Sequence, residues 1–130
     1  MLSKEFLIEY ERKYTREKVY NYPNALFFQS DHFLDRLVNR GPDFQQMSVN
    51  EVRPLLDKIA PRLQEFNSLF ELNAPYWVVG ENLGYSILIK NGMPRKGKWV
   101  CYLETIMTPS SDGELVMPRN YRSLGMIYQD

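Results

Sequence analysis

One cysteine, one histidine and no net charge narrow the chemistry open to this 130-residue chain before any motif is sought. The single cysteine, Cys101, has no intrachain disulfide partner, and no CxxC or Cys/His cluster offers a structural zinc site. Both absences point to a reducing compartment, with the cytoplasm expected. The single histidine, His32, excludes a histidine-rich metal site within one chain. Sixteen basic residues cancel sixteen acidic ones, so the field of a DNA-coating protein is missing and nucleic-acid binding requires a local patch. No apolar run reaches the roughly 18 residues of a membrane span. The stretch MLSKEFLIEYERKY is charged from Lys4 onward, unlike the apolar core of a signal peptide. Walker A, GxGxxG, HExxH and EF-hand patterns are absent, and no cofactor is expected. A soluble intracellular domain without a membrane anchor is the resulting expectation.

Aromatic residues, by contrast, are plentiful: nine Tyr, seven Phe and two Trp. Tyrosine joins a large apolar ring to a polar tip and serves cores and interfaces alike, so the excess points toward a binding surface. The length is that of one domain spanning residues 1–130, large enough to bury roughly two-thirds of its unfolded surface without a staple.

The texture changes near residue 75. Before it, apolar residues recur at helical spacing; after it, β-branched and aromatic runs alternate with Gly, Pro and Asn. Leu2, Phe6, Tyr10 and Tyr14 form a stripe on a helix over residues 4–18, ended by YNYPN. Ser30 and Asp31 open a second helix burying Phe33, Leu34, Leu37 and Val38 and stopping at Gly41-Pro42. SVNE at 48–51 is a capping box for a third, although Pro54 requires a kink or a later start. Pro61 restarts it with Leu63, Phe66, Leu69 and Phe70 inward. YWVVG, LGYSILIK, KWVCYLETIM and ELVMP read as strands, and the tail from Asn120 as a fifth, edge strand. The predicted fold is α+β: three to four N-terminal helices (about 1–74) packed on a C-terminal antiparallel sheet of four to five strands (about 75–130).

Taking NGMPRKG as the hairpin turn sets Lys90 opposite Lys98, Ile89 opposite Trp99, Ile87 opposite Cys101, Tyr85 opposite Leu103 and Leu83 opposite Thr105. Alternation then gathers Leu83, Tyr85, Ile87, Ile89, Trp99, Cys101 and Leu103 on a core face. Gly84, Ser86, Leu88, Val100, Tyr102, Glu104 and Ile106 share the mixed face, where function is sought.

Lys90, Arg95, Lys96 and Lys98 flank that turn, near Tyr102. Arg119 and Arg122 bracket Tyr121 and join the same surface if the tail folds back. Cations beside aromatic rings suit phosphates and stacked bases, yet basic loop tips also serve solubility and edge protection. The group Arg12, Lys13, Arg16 and Lys18 is interleaved with acids, which reads as a solvated helix face. Glu104, opposite Gly84 with Ser86 and Tyr102 as neighbours, outlines a small pocket whose carboxylate serves as a general base if burial raises its pKa. Cys101 and His32 are the one thiol–imidazole couple available, but Cys101 falls on the apolar face.

These features favour a non-enzymatic binding or regulatory module acting on an unidentified protein partner. Single-stranded nucleic-acid binding through the hairpin loop and tail is the first alternative, and a small enzyme using Glu104 the second. Homo-oligomer formation stays open.

Overall fold

The computed structural model describes residues 19–39, 43–113 and 125–128. The helix expected over 4–18, its four cations, the strand expected at 114–118, and Arg119, Tyr121 and Arg122 lie outside the described residues.

Among the described residues two strands come first. β1 (Val19–Asn21) and β2 (Ala25–Gln29) pair antiparallel around Pro23-Asn24, and Tyr22 N–H donates to the Ala25 carbonyl at 2.8 Å. Ser30 then caps α1 (Asp31–Val38), its Oγ accepting from Phe33 N–H at 3.0 Å. The expected stripe Phe33, Leu34, Leu37 and Val38 is buried. Ser48 N–H donates to the Glu51 carboxylate at 2.9 Å, completing the expected cap. A 3-10 turn (Val49–Val52) precedes α2 (Arg53–Ile59), which carries Pro54 in its first turn, where a missing N–H leaves no bond unmade. A second 3-10 turn (Ala60–Arg62) leads into α3 (Leu63–Leu69). Helical turns thus run unbroken for 21 residues. Among the described residues no helix is long and apolar enough to cross a membrane.

β3 (Pro75–Gly80), β4 (Tyr85–Arg95), β5 (Lys98–Met107) and β6 (Met126–Tyr128) complete a sheet of order β1-β2-β5-β4-β3-β6. β2 runs parallel to β5 and β6 parallel to β3; the other neighbours are antiparallel. The fold expectation is therefore corrected. Among the described residues two strands precede the helices, and the helical part is two continuous stretches, α1 and the 21-residue run, instead of three to four helices. It lies between β2 and β3 in the chain, and the sheet is mixed with six strands instead of four to five antiparallel ones. ALFFQ, a five-residue run flanked by Pro-Asn and Ser, finds its partner some seventy-five residues away: Ala25 faces Trp99 and Phe27 faces Cys101.

The β4–β5 register is corrected too. The turn is Lys96-Gly97, with φ of 51° and 77°, and Arg95 pairs with Lys98. Two successive positive φ values are those of a type I′ hairpin. Ile89 consequently faces Leu103 instead of Trp99. From Ile89 to Gly92 the slip is four residues, an even number, so these side chains keep their faces. All seven residues expected on the core face lie in or against the core. Ile106 is the exception on the other side. The register shifts between Leu88 and Ile89, leaving Glu104 as an extra residue and turning Ile106 inward, where it is fully buried.

The core lies between the helices and one sheet face, with Phe27, Phe33, Leu37, Leu56, Ile59 and Phe66 all at 0% exposure. Each such side chain contributes about 1.5–3 kcal/mol over its exposed state. Buried tyrosines tie the layers together through their hydroxyls. Tyr20 donates to the Val49 carbonyl at 2.6 Å and Tyr85 to that of Glu51 at 2.8 Å. The tyrosine excess read as a sign of an interface therefore serves the core at Tyr20, Tyr76 and Tyr85.

Candidate interaction surface

The sheet face turned away from the helices is defined by alternation and register. Phe28 of β2, Tyr102 of β5 and Lys90 of β4 form one row; Leu26, Val100 and Gly92 form the next. Toward β3 this face is buried at Trp77, Val79 and Ser86; toward β2 it is half-exposed at Leu26, Phe28 and Tyr102.

Gly92 explains how Tyr102 is seated. A Cβ at Gly92 would stand 2.5 Å from Tyr102 Cε2, so the ring occupies space that only glycine leaves. The Phe28 and Tyr102 rings follow at 5.8 Å between centroids, tilted by 32°. The register irregularity between Gly92 and Arg95 aims Arg95 at this face. Its guanidinium lies over Phe28 at 5.6 Å and stands 3.5 Å from the Tyr102 hydroxyl. On the far side of Tyr102, Lys90 Nζ approaches the Glu104 carboxylate at 3.8 Å.

The four cations expected to act as one loop are thus divided. Lys90 faces Glu104, Arg95 lies on the rings, and Lys98 Nζ donates to Asn21 Oδ1 of β1 at 2.8 Å. Lys96 sits exposed in the turn. The structure brings Arg95, Tyr102, Lys90 and Glu104 together and leaves Lys96 and Lys98 apart from them.

The pairing that outlined a pocket is also corrected. Gly84 lies in the β3–β4 turn, and Ser86 faces Met107 across the ladder, so no glycine stands opposite Glu104. Ser86 is fully buried, with no hydrogen-bond partner for its hydroxyl. Cys101 and His32 do not form a couple. Cys101 is buried in the core beside Asn91, and burial pushes its thiol up to about 12. His32 is exposed on α1, 3.5 Å from Arg36 Nε.

Phe28 is the member of this surface that sequence reasoning missed. Its signal was the alternation of Ala25, Phe27 and Gln29 against Leu26 and Phe28, hidden by the continuous apolar stretch. No family model, no curated protein and no solved structure matches the chain.

Proposed function

We propose that the chain is a non-enzymatic binding module that engages a partner protein through the outer sheet face at Phe28, Tyr102 and Arg95. The observation that carries the reading is the Arg95 guanidinium lying on Phe28 beside Tyr102. Arginine and large aromatic residues dominate interface hot spots. Here they sit on strands, with the ring seated against Gly92, so little side-chain freedom is lost on docking. Lys90 and Glu104 put both signs of charge next to the rings. That mixture suits the mixed rim of a protein interface. A phosphate backbone would instead meet the Glu104 carboxylate, which places nucleic acid second.

Photo-crosslinking in the source cells tests the proposal. A benzophenone amino acid at position 102 is expected to give a discrete protein adduct, lost on Arg95→Ala, whereas the same probe at exposed Gln64 gives none. An adduct that survives Arg95→Ala, or no adduct at 102, removes the reading. An adduct to RNA transfers the surface to the nucleic-acid alternative.

A further inference from the structure

The two ends of β4 differ in character. The strand starts at Tyr85, in a cleft of about 320 Å³ whose walls include Met47, Leu83, Pro109, Gln45 and Glu51. That volume is at the small end of the ~300–1,000 Å³ of ligand sites, room for one or two side chains. No lysine or arginine lines it. Glu81 is not a wall residue; it lies exposed on the β3–β4 turn, two residues before Leu83 of the wall. The strand ends at the hairpin tip, where Met93, Pro94, Arg95 and Lys96 are exposed and no acid interrupts residues 93–98. Met93 is 65% exposed, the highest value for a large apolar side chain among the described residues.

We propose that the tip of one copy docks in the cleft of another, Met93 on the apolar wall and Lys96 toward Glu51 and Glu81, so that the protein associates head to tail. Complementary charge argues for a second copy as occupant. A chain neutral overall carries a cationic, apolar finger, and a cleft with room for one or two of its side chains whose one charged wall residue is the Glu51 carboxylate. The finger ends in a two-residue turn, so its shape is fixed before it docks. Tyr85 and Arg95 bound a strand of 11 residues, which sets the patches about 33 Å apart at ~3.3 Å per residue. A copy therefore does not fill its own cleft. Because the two patches differ, a single contact leaves a free finger and a free cleft at its two ends, so association propagates unless two copies exchange fingers reciprocally. A finger in a small cleft falls in the weak class of interface, below about 1,000 Å².

Sedimentation equilibrium of the full chain tests this from about 10 μM to about 1 mM, where so small a contact acts. At low salt the weight-average mass is expected to climb from 15.4 kDa as concentration rises. Raising salt from about 50 to about 500 mM should weaken association without any substitution. Lys96→Asp and Glu81→Lys should each weaken it about tenfold, and the two together should restore it. Met93→Glu, mixed in at low fraction, should shorten the assemblies, since it has a cleft but no competent finger. Circular dichroism melts confirm that each variant folds. A mass fixed at 15.4 kDa throughout, indifference to salt, or no restoration in the paired variant overturns the proposal. None of these variants replaces Phe28, Tyr102 or Arg95, and Glu81→Lys lies at the far end of β4 from them, so failure of that variant is separable from failure of the partner-binding face.

Discussion

The ring of Tyr102 closes over Gly92, where an added Cβ would lie 2.5 Å from Tyr102 Cε2 and 3.2 Å from Val100 Cγ1. The glycine that reads as half of an Asn-Gly turn is instead a strand residue that seats an aromatic ring. Gly92→Ala should push the ring aside and part it from Arg95. Overpacking of this kind costs about 1–3 kcal/mol in a dense core, and the low end is expected at a half-exposed ring. Partner affinity should fall by more than the stability does. Urea unfolding and the crosslinking yield at position 28 measure the two effects. Unchanged yield with lowered stability would reduce Tyr102 to packing.

Inside the core, Asn91 Oδ1 accepts a hydrogen bond from the Tyr76 hydroxyl at 2.7 Å, while Asn91 Nδ2 is buried without a partner. Asn91→Leu strands the Tyr76 hydroxyl beside the weak sulfur acceptor of Cys101 and should cost about 1–3 kcal/mol. Adding Tyr76→Phe removes the stranded group, so the double variant should recover most of that loss. A double-mutant cycle in urea reads the coupling, expected at about 1 kcal/mol or more. Additive losses would mean that the bond contributes nothing beyond its two ends.

Much of this was legible where the physics is local. Ser30 over Phe33 and Ser48 with Glu51 are short-range caps, and both appear as read. The face assignment of β4 and β5 survived a wrong turn because the slip was even, and failed only at Ile106, beyond the extra residue Glu104. Non-local pairing was not legible. Nothing near ALFFQ reveals that it lies parallel to β5, since that preference arises only once Cys101 and Leu103 are beside it. Leu69, expected inward at helical spacing, is 64% exposed on the last turn of α3, while Phe70 stacks on Tyr76 at 4.4 Å. The chain leaves helical geometry at Phe70, whose ψ is 135°, and periodicity stops applying there.

Alkaline pH should destabilise the fold through Cys101. Burial raises its thiol from an ordinary 9.0 to about 12, against the hydrogen bond from Tyr76, which lowers it. The unfolded chain loses this proton near pH 9 while the folded chain keeps it, so the contribution is whole below pH 9 and fades as pH rises toward 12. The slope is at most about 1.4 kcal/mol per pH unit. Burial raises Tyr76 and Tyr22 as well, with the same sign above pH 10. Cys101→Ala isolates the thiol: its deficit relative to the parent should shrink between pH 8 and pH 10.5 in urea titrations. A deficit independent of pH would show that the thiol ionises as freely folded as unfolded.

Lys96 occupies the left-handed region, φ 51°, directly before Gly97 at φ 77°. A lysine there bears a steric cost that asparagine avoids, because its short polar side chain tolerates this conformation. Asn-Gly is also the pair most favoured by a type I′ turn. Lys96→Asn should therefore stabilise the hairpin by about 0.5–1 kcal/mol, roughly the gain of matching a residue to a backbone it can adopt without strain. Calorimetry should register a rise in Tm. The same substitution removes the cation aimed at Glu51 and Glu81 of a neighbouring copy, so head-to-tail association should weaken as stability rises. Opposite signs from one substitution cannot arise from damage to the fold. A higher Tm with undiminished association would leave the turn assignment intact and take Lys96 out of the contact.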